Sequence, residues 1–322
     1  MNIPTQVAQP RTMRDALLEQ IWLGMLSDKN IYFVTADFGS PVLDKIRRDC
    51  PDRFMNVGIA EQTLINVASG LALEGFTVFA YAIAPFLTMR CYEQIRVSLA
   101  LLSEVRPMNV NLIGVGAGYS YTLSGPTHQC YEDITLMRGL PNIHVYSPSD
   151  HLMSAMLFDN CISEMRPKYL RLDAQILPVL ADQISVSGNG FILRQQGKDL
   201  CLIATGYMVH TAIGLTESLL VHGIKASVVD MFDLSDFNRN ALTDLMRQHS
   251  HVVSMEEAFR GRGGLDAVLF ELVARERIDV SLLNIGVEPA YSFAFGTREE
   301  LHERVGIGPE TALVQIMSFC NK

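Results

Sequence analysis

Between residues 12 and 172 the chain alternates short, continuously apolar runs with segments whose apolar residues recur at helical spacing. The runs are NIYFVTAD (Asn30 to Asp37), FTVFAY (Phe76 to Tyr81), Asn109 to Gly114, IHVYSP (Ile143 to Pro148) and PKYLRL (Pro167 to Leu172). Helices are expected from Thr12 to Asp28, with Leu17, Ile21 and Leu26 on the apolar face, from Leu87 to Leu102, and from Cys130 to Leu140, which Pro141 stops. Another starts at Asp150, after a Ser-Pro-Ser turn. A strand apolar on both faces needs cover on both, so this alternation predicts a parallel, doubly wound sheet. Turn residues near Pro178 to Gly190 interrupt it. The pattern then resumes: Asp199 to Gly206, a helix through Leu220, Lys225 to Met231, His251 to Glu257, a helix after Gly263 and Gly264, and Val280 to Gly286. The expected fold class is α/β, as two doubly wound domains with mostly parallel sheets, at residues 1–182 and 190–322.

Composition narrows the function classes. Hydrophobic residues make up 48% of the 322 and charged residues 19%, enough apolar material for two cores. A net charge of −9, with no basic stripe, argues against nucleic acid. No run of 18 apolar residues exists, and the nearest candidate, Phe76 to Leu87, contains Pro85, so no membrane span is expected. The first residues lack a charged start followed by an apolar core, so no signal peptide is expected either. The six cysteines form no CxxC pair, which points to reduced thiols in the cytoplasm rather than zinc or disulfides. GVGAGY (Gly114 to Tyr119) is not GxGxxG, because its third glycine comes one residue early; we read it as a loop at a site rim and not as an NAD fingerprint.

Three phrases carry candidate chemistry. GIAEQ (Gly58 to Gln62) follows the short apolar run RFMNV and opens a helix in which Leu64, Ile65, Ala68, Leu71 and Ala72 share a face and which Gly75 ends. It puts Glu61 in the first helical turn, where the macrodipole favours any carboxylate, so a purely structural role is one reading. GPTHQ places His128 in a Gly-Pro turn ahead of a helix. It is either a hydrogen-bonded structural imidazole or a group that moves protons near neutral pH. In APFLTMRCYEQIR, the dense apolar neighbours of Phe86 make a core role one reading, and Arg90 lies four residues on, able to face the same side if the helix begins early.

With their flanks, these phrases resemble the pyrimidine-binding domain of transketolases, which are thiamine-diphosphate enzymes. VVSMEEAFRGRGGLDA and FGTREELHERVGI resemble the C-terminal domain of the same family, so the resemblance spans nearly the whole chain. It implies that Glu61 hydrogen-bonds the pyrimidine ring and activates the cofactor, that Phe86 stacks on that ring with Arg90 beside it, and that His128 lies near the reacting ketose. It also matches Arg14 (TMRDA), Ser40 (ADFGS) and Arg171 (YLRLD) to substrate- or phosphate-contacting positions, each with a surface or salt-bridged role as the alternative. Ser124 stands where many transketolases carry an acidic residue that contacts substrate hydroxyls, which puts the substrate's hydroxyl pattern in question.

The family's diphosphate domain holds the metal through a GDG…N motif, and this chain has no GDG. The expectation is therefore the second half of a split transketolase, with no metal ligands of its own. Thiamine diphosphate would be shared, and Mg2+ or another divalent cation held mainly by an N-terminal subunit, in an α2β2 assembly. The reaction implied is transfer of a two-carbon ketol unit from a sugar or sugar phosphate to an aldehyde. Two alternatives stand beside it. One is decarboxylation of a 2-oxo acid, as in dehydrogenase beta subunits or deoxyxylulose-phosphate synthases. The other is a non-catalytic partner subunit, against which the joint presence of Glu61, Phe86 and His128 speaks.

Overall fold

A computed structural model describes residues 10–180 and 188–321. Thr12 caps the first helix, its hydroxyl accepting from Asp15 N at 3.1 Å. α1 (Met13–Ser27) is followed by β1 (Ile31–Thr35), α2 (Pro41–Asp49), β2 (Phe54–Asn56), α3 (Glu61–Leu73) and β3 (Thr77–Ile83). Then come a short α4 (Tyr92–Gln94), β4 (Val110–Val115), α5 (Asp133–Arg138), β5 (His144–Tyr146), α6 (His151–Ser163) and β6 (Lys168–Leu172). The six strands form one parallel sheet in the order β2-β1-β3-β4-β6-β5. Every residue of β4 and β6 is buried, the polar Asn111, Lys168 and Arg171 included, as a sheet covered on both faces requires.

The second sheet has the order β11-β10-β8-β9-β7. It is built from β7 (Phe191–Gln195), β8 (Leu200–Ala204), α7 (Met208–Val221), β9 (Ala226–Met231), α8 (Arg239–Met246), β10 (His251–Phe259), α9 (Leu265–Glu276), β11 (Ser281–Val287), α10 (Arg298–Arg304) and α11 (Pro309–Cys320). Only β7 runs antiparallel, against β9. The expected division at residue 182 lies outside the described residues. No helix among them is long and apolar enough to cross a membrane.

Two expectations need correction. Leu26 is half exposed and Met25 is buried in its place, because Met25 lies four residues after Ile21 and completes the stripe. The segment expected as a regular helix, Leu87 to Leu102, is mostly π-helical, at Phe86–Arg90 and Ile95–Leu101 on either side of α4. Widening the coil frees carbonyls, and side chains take them: Thr88 Oγ1 donates to Ala84 O at 2.8 Å and Cys91 Sγ to Leu87 O at 2.7 Å.

The two sheets share a core. One cluster of buried residues runs from Val34, Leu64 and Val110 through Tyr169 to Ile203 and Val229. Edge strand β5 is capped by the segment after β9: Ser147 N donates to Phe232 O at 2.7 Å and Leu234 N to Val145 O at 3.0 Å.

Candidate active site

In a parallel sheet all strands end on one edge, and the crevice opens where strand order reverses, here between β1 and β3. Asp37 to Ser40 follow β1, Gly58 to Glu61 follow β2, Phe86 follows β3, and the loop carrying His128 follows β4. The sequence phrases therefore converge on that edge.

Glu61 is set by the turn before it. Asn56 Oδ1 accepts from Asp37 N and Gly58 N, both at 3.0 Å. Gly58 has φ +74°, a left-handed conformation that glycine adopts without strain. The chain can thus reverse and start α3 at Glu61, whose side chain is only 3% exposed. Arg90 Nη1 donates to Glu61 Oε2 at 2.8 Å. The same guanidinium lies over the Phe86 ring, 4.5 Å from its centroid. A π-helical turn holds more than four residues, so positions 86 and 90 come nearly one above the other. His128 also meets Phe86, in a T-shaped contact with ring centroids 5.2 Å apart. Its Nδ1 is 3.0 Å from Thr127 Oγ1. Glu61, Arg90, Phe86 and His128 thus form one chain of contacts.

A second group sits where α1 and α2 begin. Arg14 Nε donates to Asp15 Oδ1 at 2.8 Å, and Ser40 Oγ donates to the same oxygen at 2.8 Å. Burial works against ionisation of Asp15, but the bonds from Arg14 and Ser40 outweigh it and hold its pKa below the ordinary carboxylate value. Arg14, Asp37, Phe38, Ser40 and Asn56 line an open cavity of about 520 Å³. Tyr121 lies towards both groups. Its ring packs directly on Gly116, where a Cβ would collide with it, and it meets His128 at 6.5 Å between centroids.

Two expected site residues are placed otherwise. Arg171 is 2% exposed and committed inside the protein: Nε donates to Asp133 Oδ2 at 2.9 Å, and Nη2 to Glu257 O at 2.9 Å. It ties the two sheets together and is not a free fork for a substrate phosphate. Ser124 is exposed on the loop ahead of Gly125 and makes no hydrogen bond among the described residues. Sequence reasoning missed Asp15, Asp37 and Tyr121. Asp15 looks like an ordinary first-turn acid, and Tyr121 belongs to no phrase with a known pattern. Asp37 takes a left-handed φ of +53°, uncommon for a side chain with a Cβ, and nothing local announces it.

Known proteins resemble this chain along most of its length. The transketolase pyrimidine-binding domain model matches residues 9–179, and the transketolase C-terminal domain model matches residues 188–311. An apulose-4-phosphate transketolase subunit of Actinobacillus succinogenes is 32% identical over 275 residues, covering 84% of this chain and 86% of that protein. A 6-deoxy-6-sulfo-D-fructose transketolase subunit of a Clostridium species is 28% identical, covering 95% and 94%. A split-gene transketolase solved as an inactive beta4 tetramer superposes with a TM-score of 0.84 at 28% identity, covering 96% of this chain and 98% of that one. With both domain models matched in order along its length, this chain belongs to the transketolase family.

Proposed function

We propose that this chain is the pyrimidine-binding subunit of a split transketolase, moving a two-carbon ketol unit between sugars that carry a terminal anionic group. The observation that carries the reading is the nearly buried Glu61 carboxylate beside Phe86 and His128, at the point where strand order reverses. This donor set fits the aminopyrimidine of thiamine diphosphate: a carboxylate for a ring nitrogen and an aromatic face for stacking. Arg90 covers both in this structure, and being 45% exposed it has room to swing out. When bound, the cofactor supplies the electron sink for carbon–carbon cleavage. Glu61 holds the proton of the pyrimidine ring, Phe86 fixes the ring plane, and His128 exchanges protons with a substrate hydroxyl. Arg14 and Ser40 receive the anionic end; two relatives, one named for a sugar phosphate and one for a sulfonated sugar, support that assignment.

The diphosphate and its divalent cation belong, in this reading, to a separate N-terminal subunit, in an α2β2 complex whose present chain divides into domains 1–182 and 190–322. The inactive state of the related beta4 tetramer supports the need for that subunit. A cytoplasmic setting is supported by the buried thiols Cys50, Cys91, Cys130, Cys161 and Cys201. The test is to co-purify this chain with an N-terminal transketolase subunit and titrate thiamine diphosphate and Mg2+ into each alone and into the mixture. Tight binding and ketol transfer in the mixture alone, both lost with Glu61→Ala, are expected. Undiminished ketol transfer by Glu61→Ala would refute the reading, as would pyruvate consumption in place of ketol transfer.

A further inference from the structure

The loop bearing Tyr121 and His128 is closed at its neck. Gly118 N donates to Cys130 O at 2.8 Å and Cys130 N to Gly118 O at 3.0 Å. Against that neck stands Glu257, at the end of β10 in the C-terminal domain, 1% exposed. Its Oε1 accepts from Tyr119 N at 3.2 Å, inside the loop. Approach this close requires Gly118, since a Cβ there would collide with the Glu257 carboxylate. The carboxylate is itself fixed from behind. Arg298 Nη2 donates to Oε2 at 2.6 Å and Arg298 Nε to Oε1 at 3.1 Å, and His302 Nε2 lies 2.6 Å from Oε1. Burial opposes its ionisation, yet Arg298 and His302 outweigh that and hold its pKa well below the ordinary range.

Further ties run to the same neck. Arg298 pairs with Asp173 at 2.6 Å and reaches Gln175 Oε1 at 3.4 Å, and Gln175 Nε2 donates to Ser120 O at 3.1 Å. Arg171 Nη2 reaches Cys130 O at 3.4 Å as well as the Glu257 carbonyl at 2.9 Å. Phe259 N donates to Tyr131 O at 3.2 Å. The charged members, Arg171, Asp173, Glu257 and Arg298, are all buried, so these ionic contacts are little screened and hold one geometry.

We propose that Glu257 of the C-terminal domain is a positioning residue, fixing the neck of the loop that presents His128 to the substrate. This rests on the reading of His128 as a substrate-contacting group. It gives the C-terminal domain a task in the reaction, although among the described residues the groups of the site itself lie on the first sheet.

The test is Glu257→Gln in the complex with the N-terminal subunit, with His128→Ala alongside. Glutamine keeps the size but loses the charge and one acceptor. Misplacing a catalytic group by about 1 Å costs up to roughly 100-fold, so kcat should fall about 10- to 100-fold. The KM contribution of the anionic end, set at Arg14 and Ser40, should change less than about threefold. In the full-length chain alone, hydrogen exchange should quicken in peptides covering residues 118–131 and stay unchanged in α1 and β1. If Glu257→Gln does not fold, His302→Gln, which keeps a donor towards Oε1 and leaves the Arg298 pair, should quicken exchange in the same peptides to a lesser extent, with a smaller loss of kcat. Wild-type kcat with unchanged exchange in the loop would overturn the proposal. So would exchange that rises evenly across the C-terminal domain, with activity lost only in step with folded protein. Full activity in His128→Ala would instead remove the underlying reading, a result separable from either.

Discussion

Replacing Arg171 by Met separates the two roles that an arginine at this strand end can have. Met fills the alkyl space but brings no charge. It leaves the Asp133 carboxylate, fully buried, with the Tyr169 hydroxyl at 2.7 Å, and it strips a donor from Glu257 O. Breaking a buried pair by removing one partner costs about 3–5 kcal/mol, because the remaining charge is uncompensated. Set against a total stability of roughly 5–15 kcal/mol, that is a large share. At about 2–4 °C per kcal/mol for cooperative units of this size, the melting temperature should drop by roughly 6–20 °C. Adding Asp133→Leu removes the orphaned charge, so the double variant should recover to within about 2 kcal/mol of the parent, against the larger loss in either single change. The assay is thermal and urea unfolding of all four proteins, with KM for a phosphorylated and an unphosphorylated ketose measured in the complex. A melting temperature within about 2 °C of wild type, with a roughly tenfold rise in KM for the phosphorylated ketose alone, would refute the reasoning and return Arg171 to the substrate.

Arg14→Ala should raise KM for phosphorylated substrates about 10- to 150-fold, the loss of a charge-assisted hydrogen bond worth roughly 1.5–3 kcal/mol, and leave unphosphorylated ones nearly unchanged; equal effects on both would refute the anion site. Phe86→Leu keeps apolar bulk but loses the ring, so thiamine diphosphate should bind about 2- to 12-fold more weakly by calorimetry, with melting little altered because the ring is half-buried. Lys168 is buried, its Nζ donating to Asn109 Oδ1, Glu164 O and Arg166 O, and burial pushes its pKa down to about 8. An unfolded lysine keeps its proton to about 10.5, so between pH 8 and 10.5 the unfolded state holds more protons and stability rises with pH. Urea unfolding should therefore show wild type gaining up to about 3 kcal/mol on Lys168→Met across that window, and a flat difference would contradict it.

What the sequence shows of this fold follows from burial. β4, β6, β8 and β9 are buried at every position; β8 (LCLIA) is apolar throughout, and the other three are legible from their Val, Leu, Ile and Tyr residues despite the buried Asn111, Lys168, Arg171, Ser227 and Asp230. β7 is half exposed, reads FILRQ, and sits antiparallel at the sheet edge, so it carries neither signal. α2 is short but carries ordinary helix signals, with Ser40 as its cap, Pro41 in the first turn, and Val42, Leu43 and Ile46 on one buried face. The π-helical stretch around Phe86 is invisible for another reason. Apolar spacing reports which residues face the core, while the hydrogen-bond register that separates α from π depends on local side-chain donors such as Thr88 and Cys91.

The site shows the same limit more sharply in its arginines. Arg14, Arg90 and Arg171 stand at element ends on or near one sheet edge and read alike in the sequence. What separates them is which N–H groups the protein has already used. Arg171 is 2% exposed and spends its donors on Asp133, Cys130 and Glu257, so its charge serves the junction between the sheets. Arg90 is 45% exposed and makes a single ion pair with Glu61 while covering Phe86, so it can yield both to a ligand. Arg14 lies between these extremes, its side chain 21% exposed and aligned by Asp15. Asp15 fixes that guanidinium and the Ser40 hydroxyl together, which saves ordering entropy when an anion arrives. Its own negative charge also lowers the anion's affinity, so the pocket trades strength for a preset geometry. Apart from Asp15 beside Arg14, little of this is local information. The partners of the three arginines lie between 1 and 86 residues away along the chain, and it is the fold that decides which charge is spent and which is kept for substrate.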